Sequence, residues 1–325
     1  MAEWTLSAAL NRALLDAMDE DPRVLVFGED VGRLGGVFRV TDGLQAKFGE
    51  QRVFDTPIAE AGIVGAAIGL ALTGWKSVVE MQFDGFSYPA FEQIVSHLAK
   101  YRNRTRGRVE LPVVVRIPSF GGIRGKEHHG ESPETYFVHT AGLKVLTPSG
   151  ALDGYRLLRH AIADPDPVIF LEPKARYWAK EEGDLTVDGP GVARAAIVRE
   201  GDACVVFAYG AMVERCLEAA DSVAAEGPSA RVVDLRSLSP LDVETIGGCA
   251  RETGRVVVVH EAPKTLGLGA EIVARVVEEA FDHLEAPVER VTGWDVPYPP
   301  ASLEAGYLPS VERIADAVHR VVAYR

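Results

Sequence analysis

Short apolar segments alternate with helical segments along nearly the whole chain, and this rhythm constrains the fold more than any other feature. A continuous apolar run such as residues 112–117 is typical of a strand that is buried on both faces of a parallel sheet. Strands separated by helices of about ten to fifteen residues predict parallel sheets with helices on both faces. Because 325 residues exceed the usual size of one domain, we expect an α/β protein with two doubly wound domains and mainly parallel sheets.

An irregular stretch separates the two series of strands and helices. It lies between residues 172 and 199 and is interrupted by several prolines and glycines, which break both helices and strands. We therefore predict a first domain over residues 1–185, a linker over residues 186–200, and a second domain over residues 201–325.

Charge and cysteine content argue against several classes of protein. The net charge of −13 argues against a nucleic-acid partner, because phosphate binding needs clustered lysines and arginines. The three cysteines are widely spaced and form no Cys-x-x-Cys pair, so we expect neither a disulfide framework nor a zinc site. We recognise neither a secretory signal nor an apolar run long enough for a membrane helix, and we expect a cytoplasmic protein without a membrane partner.

One carboxylate stands at the head of a helix that is otherwise apolar and small-sided. Glu60 is followed by residues 61–72, which are all apolar side chains or glycine. One interpretation is that Glu60 interacts with the helix dipole, which is worth about 0.3–1 kcal/mol. The other is that Glu60 is a buried acid that exchanges a proton with a ligand. The residues around Glu60 leave both interpretations open.

Three glycines in the same helix call for a packing explanation. Gly62, Gly65 and Gly69 each cost a helix interior about 1 kcal/mol relative to alanine. Small residues allow another backbone to approach closely, so this face is expected to pack against a second helix or a second subunit. A small-residue helix in the protein core is the alternative.

The segment Asp55–Glu60 and the pattern Glu60-x4-Gly65-Ala66-x-x-Gly69 resemble the pyrimidine-domain motif of thiamine-diphosphate enzymes. Further ordered blocks are similar to the β subunit of the decarboxylating component of 2-oxo acid dehydrogenase complexes. The resemblance covers essentially the whole chain, and the second domain resembles the transketolase C-terminal domain. The blocks are Gly28–Val31, Glu80–Phe83, Pro89–Ile94, Ser132–Glu134, Gly142–Val145, Asp166–Lys174 and Val291–Asp295.

The resemblance implies oxidative decarboxylation of a 2-oxo acid with thiamine diphosphate, followed by acyl transfer to a lipoyl acyltransferase. It gives Glu60 the role of the acid that hydrogen-bonds N1′ of the aminopyrimidine ring, while the cofactor serves as electron sink for the loss of CO2. By the same resemblance, Phe86 stacks on the pyrimidine ring. Glu29, Ile58 and Gln82 then line the same pocket.

A glycine-rich loop over residues 121–132 contains two adjacent histidines, His128 and His129, and its glycines predict mobility. The resemblance aligns His129 with the histidine that assists acyl transfer to lipoamide, and His128 is the competing register. Gly130 and Glu131 stand where many relatives have serine and glutamine, so the contacts of the loop are open.

The turn around Asp164 and Asp166 matches the position at which the family often holds a potassium ion. By the resemblance, backbone oxygens near Leu111, Val113 and Ala161 complete the shell, since hard oxygen ligands suit such an ion. An ordinary turn between a helix and a strand explains the same residues equally well.

The chain lacks the sequence elements that bind the other end of the cofactor. Related thiamine enzymes hold the magnesium diphosphate with a Gly-Asp-Gly and a later Asn-Asn, whereas this sequence has no Gly-Asp-Gly and only Asn11 and Asn103. The resemblance therefore implies that a separate α subunit holds the magnesium ion, in an α2β2 heterotetramer. It also implies that the second domain supports contact between β subunits and docking to the lipoyl acyltransferase core.

The substrate is less constrained than the family. Gln82, Phe83 and Phe86 look closer to the branched-chain relatives, which favours 2-oxoisovalerate. A pyruvate- or acetoin-specific enzyme is the alternative within the same cofactor class. A non-catalytic subunit for assembly and docking is the alternative from another class, and Glu60 is the residue that distinguishes it from an enzyme.

Overall fold

The structure, a computed structural model, describes residues 2–325 and confirms the predicted α/β architecture with mainly parallel sheets. A seven-stranded sheet and a five-stranded sheet form the two halves, and a two-stranded antiparallel ribbon accompanies the first. The strands are β1 Ala2–Thr5, β2 Val24–Gly28, β3 Val53–Asp55, β4 Lys76–Glu80, β5 Val113–Ser119, β6 Lys144–Leu146, β7 Val168–Pro173, β8 Lys180–Gly183, β9 Ala196–Arg199, β10 Cys204–Ala208, β11 Ala230–Asp234, β12 Ser237–Ser239, β13 Val256–Pro263 and β14 Glu289–Gly293.

Helices connect successive strands and cover both faces of each sheet. The first helix begins at Leu6, because the hydroxyl of Thr5 accepts a hydrogen bond from the amide of Ala8 at 3.2 Å and so caps it. The helices are α1 Leu6–Glu20, α2 Leu44–Phe48, α3 Glu60–Leu72, α4 Tyr101–Arg104, α5 Glu134–Val138, α6 Ala151–Ala163, α7 Met212–Ala224, α8 Val243–Thr253, α9 Leu268–Ala280, α10 Glu304–Tyr307 and α11 Val311–Ala323.

The large sheet has the strand order β12-β6-β7-β5-β4-β2-β3. Its strands are parallel except β12, which comes from the second half of the chain and pairs antiparallel with β6. In parallel sheets of this kind, ligands bind beyond the carboxyl ends of the strands. The carboxyl ends of β2, β3 and β4 are neighbours here, so the segments that follow them lie at one edge.

The small sheet has the order β14-β13-β10-β11-β9, and β9 is its one antiparallel strand. β9 lies inside the range 186–200 that the sequence predicted as linker, and its residues pair with β11. Residues 196–199 are therefore part of the second sheet. The segment before the linker also differs from its irregular appearance, because β8 pairs with β1 at the start of the chain.

The segment over residues 84–104 is divided into several short helical types. A 3₁₀ segment over Asp84–Ala90 leads to a π-helical turn over Gln93–His97, then to a 3₁₀ turn over Leu98–Lys100 and to α4. π-helical turns are rare and are frequent near functional sites. This one lies beside α3, the helix that begins with Glu60.

One apolar core joins the two sheets. Helix α3 and β5 contribute to the same buried cluster as β10, β13 and α9, so the halves share a continuous interior. Helices α1 and α6 cover the opposite face of the large sheet. Among residues 2–325, no helix combines the length and the apolar character that crossing a membrane requires.

Candidate active site

Two buried carboxylates, Glu29 and Glu60, lie near each other at the carboxyl edge of the large sheet. Glu29 follows β2 and is 6 % exposed, while Glu60 opens α3 and is 8 % exposed. Burial raises the pKa of Glu29, and the negative charges of Glu60 and Asp30 raise it further. Among the described residues, Oε1 of Glu29 has no hydrogen-bond partner, so this buried oxygen can form a hydrogen bond with a ligand.

Gln82 joins this edge from the neighbouring strand. Its side-chain amide donates a hydrogen bond of 2.7 Å to Oδ2 of Asp30, the residue next to Glu29. Ile58 lies in the turn before α3 and is 84 % exposed. The structure therefore places Glu29, Glu60 and Gln82 at one edge of the sheet, with Ile58 projecting away from the protein core.

Phe86 and His129, from separate segments, form an aromatic cluster with Phe83. The rings of Phe86 and His129 meet edge-to-face with 5.3 Å between centroids, and Phe83 lies 4.4 Å from His129. Phe83 and Phe86 are themselves in edge contact at 6.0 Å. The structure thus brings together the predicted stacking residue and the predicted acyl-transfer residue.

His128 and His129 occupy different environments. The imidazole of His129 is half-buried, and its Nδ1 lies 2.8 Å from the carbonyl oxygen of Glu127. His128 is exposed and has a positive φ of 67°, and among the described residues its ring has no contact with Phe83 or Phe86, whereas the ring of His129 contacts both. Of the two histidines, His129 is the one that belongs to the aromatic cluster.

Asp84, the residue after Phe83, forms a buried ion pair with Lys174 next to the aromatic cluster. Both side chains are inaccessible, and Oδ1 of Asp84 also accepts hydrogen bonds from the amides of Gly85 and Glu131 at 2.9 and 3.1 Å. Burial raises the pKa of Asp84 and lowers the pKa of Lys174, while their mutual attraction opposes both shifts. Since Glu131 lies near the end of the histidine loop, the hydrogen bond to Asp84 fixes that end of the loop.

A second cluster of buried charges lies on β4, β5 and β7, which are neighbouring strands of the large sheet. Arg116 of β5 donates to Glu80 at 2.6 Å and to both oxygens of Glu172, at 2.6 and 2.9 Å. The hydroxyl of Tyr177 donates to Glu172 at 2.5 Å. Burying charges is costly unless each is paired, and here every charge has a partner.

The charged clusters were not identified from the sequence. Arg116 did give a signal, because it is the single charge in the apolar run of β5 and a buried arginine requires carboxylate partners. The pairing of Asp84 with Lys174 gave none, since the two residues are 90 positions apart.

The residues of this edge fit the pyrimidine end of a thiamine cofactor. An unpartnered oxygen on Glu29, the buried carboxyl of Glu60 and the aromatic ring of Phe86 supply polar and stacking contacts. Residues 2–325 contain no group of three or more histidines, cysteines or acids arranged to hold a metal ion.

The turn predicted to hold potassium is occupied by ion pairs. The ammonium of Lys144 donates to both oxygens of Asp164 at 2.7 and 2.6 Å, and Arg102 donates to Asp166 at 2.8 Å. The structure brings the five predicted residues to one place, as the amide of Asp164 bonds the carbonyl of Ala161 and the amide of Leu111 bonds that of Pro165. Because the carboxylates of Asp164 and Asp166 have cationic partners, the ligands left at this turn are backbone oxygens, including those near Val113.

Comparison with known proteins matches both halves of the chain to described domains. Residues 2–179 match the transketolase pyrimidine binding domain, and residues 193–314 match the transketolase C-terminal domain. Among solved structures, a chain described as "split gene transketolase, inactive beta4 tetramer" superimposes with a TM-score of 0.81. It is 25% identical, and the match covers 98% of each chain.

Curated relatives are similar over nearly the full length. The 3-methyl-2-oxobutanoate dehydrogenase subunit beta of Mycobacterium tuberculosis is 56% identical, over 98% of this chain and 92% of the relative. The pyruvate dehydrogenase E1 component subunit beta of Leifsonia xyli is 53% identical, over 97% and 94%. The 2-oxoisovalerate dehydrogenase subunit beta of Pseudomonas aeruginosa is 45% identical, over 99% and 96%. With both domains matched and with relatives of this kind along its whole length, the chain belongs to the family of 2-oxo acid dehydrogenase β subunits.

Proposed function

We propose that this chain is the catalytic β subunit of a thiamine-dependent 2-oxo acid dehydrogenase that acts on a branched-chain 2-oxo acid in the cytoplasm. The observation that carries the proposal is the pair of buried carboxylates, Glu29 and Glu60, beside the aromatic cluster of Phe83, Phe86 and His129. When bound, thiamine diphosphate supplies the electron sink for the loss of CO2.

Each side chain of the proposed site has its own role in the reaction. Glu60 would hold a proton at N1′ of the aminopyrimidine ring, in a site from which the apolar helix α3 excludes water. Phe86 would stack against that ring, while Glu29 and Gln82 orient it and Ile58 covers its open side. His129 would stand on the far side of Phe86, where it can move a proton to or from the acyl acceptor.

A partner subunit completes the proposed site. The small-sided face of α3 is open in this chain, with Gly62, Ala66 and Gly69 exposed and Leu72 43 % exposed. Exposed apolar residues next to a polar cleft are typical of an interaction surface. We assign the magnesium ion and the diphosphate to an α subunit that meets this face in an α2β2 assembly, and the acyl group to a lipoyl acyltransferase core.

The substrate assignment rests on Phe83 and Phe86. Their edge contact gives the pocket an apolar wall, which suits a branched side chain. The names of the relatives include both branched-chain and pyruvate enzymes, at 56% and 53% identity. Pyruvate is accordingly the second candidate substrate.

We also propose that backbone oxygens near Leu111 and Ala161 bind a potassium ion. The protein should then have a higher melting temperature in KCl than in equimolar NaCl.

The decisive experiment compares Glu60→Gln with the exposed control Glu50→Gln in a purified complex with an α subunit that carries Gly-Asp-Gly and Asn-Asn. We expect Glu60→Gln to lower decarboxylation by about a hundredfold or more, because general acid–base catalysis contributes about that much, while the control is unchanged. Full activity of Glu60→Gln would favour the non-catalytic assembly subunit.

The substrate is tested by steady-state assay of the same complex with 2-oxoisovalerate, pyruvate and acetoin. A kcat/KM for 2-oxoisovalerate at least about tenfold above that for pyruvate is expected, since each extra methyl group in an apolar pocket is worth about 1–3 kcal/mol. Equal or better activity with pyruvate or acetoin would overturn the branched-chain assignment and leave the role of Glu60 untouched.

A further inference from the structure

A carboxylate of the second domain, Glu304, binds the histidine loop of the first domain. Its Oε1 accepts a hydrogen bond from the amide of Gly122 at 3.1 Å, and its Oε2 accepts one from the amide of Arg124 at 3.0 Å. The hydroxyl of Tyr298 donates to Oε1 at 2.6 Å. Glu304 is 5 % exposed, so these hydrogen bonds are shielded from water.

Other residues of the second domain hold the base of the same loop. Oε2 of Glu261, in β13, accepts a hydrogen bond of 2.8 Å from the amide of Gly121. The ring of Tyr298 lies against Gly121 at one end of the loop and Gly130 at the other, and it leaves no room for a Cβ atom at either position. The glycines of this loop therefore serve close packing, whereas the sequence suggested mobility.

The backbone of the loop is strained where these contacts act. Phe120, Arg124 and His128 all have positive φ angles, of 73°, 54° and 67°. Such conformations cost non-glycine residues about 1–2 kcal/mol each and persist only where the surroundings enforce them. On the first-domain side, the amide of Glu131 is held by Asp84, so the loop is fastened by both domains.

We infer that Glu304 is a positioning residue for His129: by binding the amides of Gly122 and Arg124, the second domain fixes the loop that places the imidazole against Phe83 and Phe86. This inference rests on the acyl-transfer role proposed for His129. Glu304 touches neither the aromatic cluster nor the Glu29 and Glu60 pair, so its loss should affect the transfer step and not the decarboxylation step.

The test uses Glu304→Gln in the complete α–β complex, with Asp316→Asn as a control that removes an exposed carboxylate of α11. Decarboxylation is followed with an artificial electron acceptor, and acyl transfer is followed separately with a lipoyl domain. Glu304→Gln is expected to lower kcat of transfer about tenfold, since a charge-assisted acceptor is lost, and to leave decarboxylation within about twofold. Asp316→Asn should change neither.

Hydrogen exchange supplies a readout that does not depend on activity. In Glu304→Gln, amide exchange in a peptide covering residues 120–131 should accelerate about tenfold, because one of the two oxygens that accept from Gly122 and Arg124 becomes an NH2 group and the remaining oxygen carries no charge. Tyr298→Phe, which removes one donor to Glu304 and keeps the ring, should accelerate it less. Unchanged exchange in Glu304→Gln, or an equal loss of decarboxylation and transfer, would overturn the inference.

His129→Gln separates this inference from the proposed function. If His129→Gln leaves acyl transfer intact, the role of His129 is wrong, whatever Glu304→Gln does. If His129→Gln abolishes transfer while Glu304→Gln changes neither transfer nor exchange, the role of His129 stands and the role of Glu304 is wrong.

Discussion

The imidazole of His129 lies edge-on to the ring of Phe83, with 4.4 Å between centroids and 64° between ring planes. Phe83 follows β4 and His129 belongs to the loop after β5, so the contact joins segments that follow neighbouring strands of the large sheet. Aromatic pairs in this geometry are worth about 0.5–1.5 kcal/mol beyond the area they bury. The contact places the imidazole beside Phe86 as well, with 5.3 Å between the centroids of those two rings.

Adjacent histidines provide a matched pair of variants for this arrangement. His129→Gln removes the imidazole from the aromatic cluster, whereas His128→Gln changes an exposed side chain. We expect His129→Gln to lower acyl transfer to a lipoyl domain by about a hundredfold, which is the lower range for loss of a general acid–base group, and His128→Gln to lower it less than about threefold.

The measurement is the rate of reductive acylation under single-turnover conditions in the α–β complex. A larger loss in His128→Gln than in His129→Gln would reverse the assignment. Equal small losses in both variants would mean that neither histidine moves a proton in this step.

Lys174 and Asp84 form an inaccessible ion pair, and removing one partner leaves the other charge buried. Lys174→Met is expected to destabilise the protein by about 3–5 kcal/mol for this reason. Lys180→Met is the matched control, because Lys180 is exposed and water screens its pairing with Glu3, so its loss should change stability little.

The double variant Asp84→Asn with Lys174→Met distinguishes charge from packing. It removes both charges and keeps an oxygen that accepts from the amides of Gly85 and Glu131, so it should recover most of the lost stability. Melting temperatures of the purified complexes provide the comparison. A double variant no more stable than Lys174→Met would show that packing of the lysine stem, and not charge pairing, is what the single variant loses.

The helices and strands that the sequence predicted well are those with a local signal. The apolar and small residues at 61–72 locate α3, and the apolar run at 112–117 locates β5, because both signals depend on neighbours along the chain. β12 and the β1–β8 ribbon escaped prediction. Each is short, and each exists only because a distant segment supplies its hydrogen bonds.

The residues of the candidate site also differ in whether the sequence alone could predict them. Glu29, Glu60 and Gln82 could be grouped from the sequence, because the resemblance to thiamine-diphosphate enzymes assigns all three to one pocket. Glu304 could not be connected with the histidine loop, since it lies some 180 positions from Arg124 and is brought there by the docking of the second domain. Burial and partners across domains are properties of the folded chain and leave no periodic trace in the sequence.

The buried carboxyl group of Glu134 makes the stability of the folded protein depend on pH. It is wholly buried in α5, and its Oε1 accepts a hydrogen bond of 2.7 Å from the hydroxyl of Tyr209, while its Oε2 has no partner among the described residues. Burial raises the pKa of Glu134 from 4.5 to about 7, against the hydrogen bond from Tyr209, which lowers it. The carboxyl is therefore neutral in the folded protein at pH values where it is ionised in the unfolded chain.

The sign of the effect follows from this difference. The stabilisation is fully present below pH 4.5 and is lost as the pH rises through about 7, when the buried group must ionise. At about 1.4 kcal/mol per pH unit, the loss amounts to roughly 3 kcal/mol. Glu134→Gln cannot ionise and keeps an oxygen for Tyr209, so its melting temperature should rise relative to the unsubstituted protein between pH 5 and pH 8.

Tyr209→Phe provides the converse variant. It removes the hydrogen bond that favours the ionised carboxylate, so the pKa of Glu134 should rise further and the loss of stability should extend to higher pH. Melting curves of the three proteins at half-unit steps of pH measure both effects. A constant difference in melting temperature between Glu134→Gln and the unsubstituted protein across this range would contradict the raised pKa, because a carboxyl group whose pKa is the same in the folded and unfolded states contributes no pH dependence to stability.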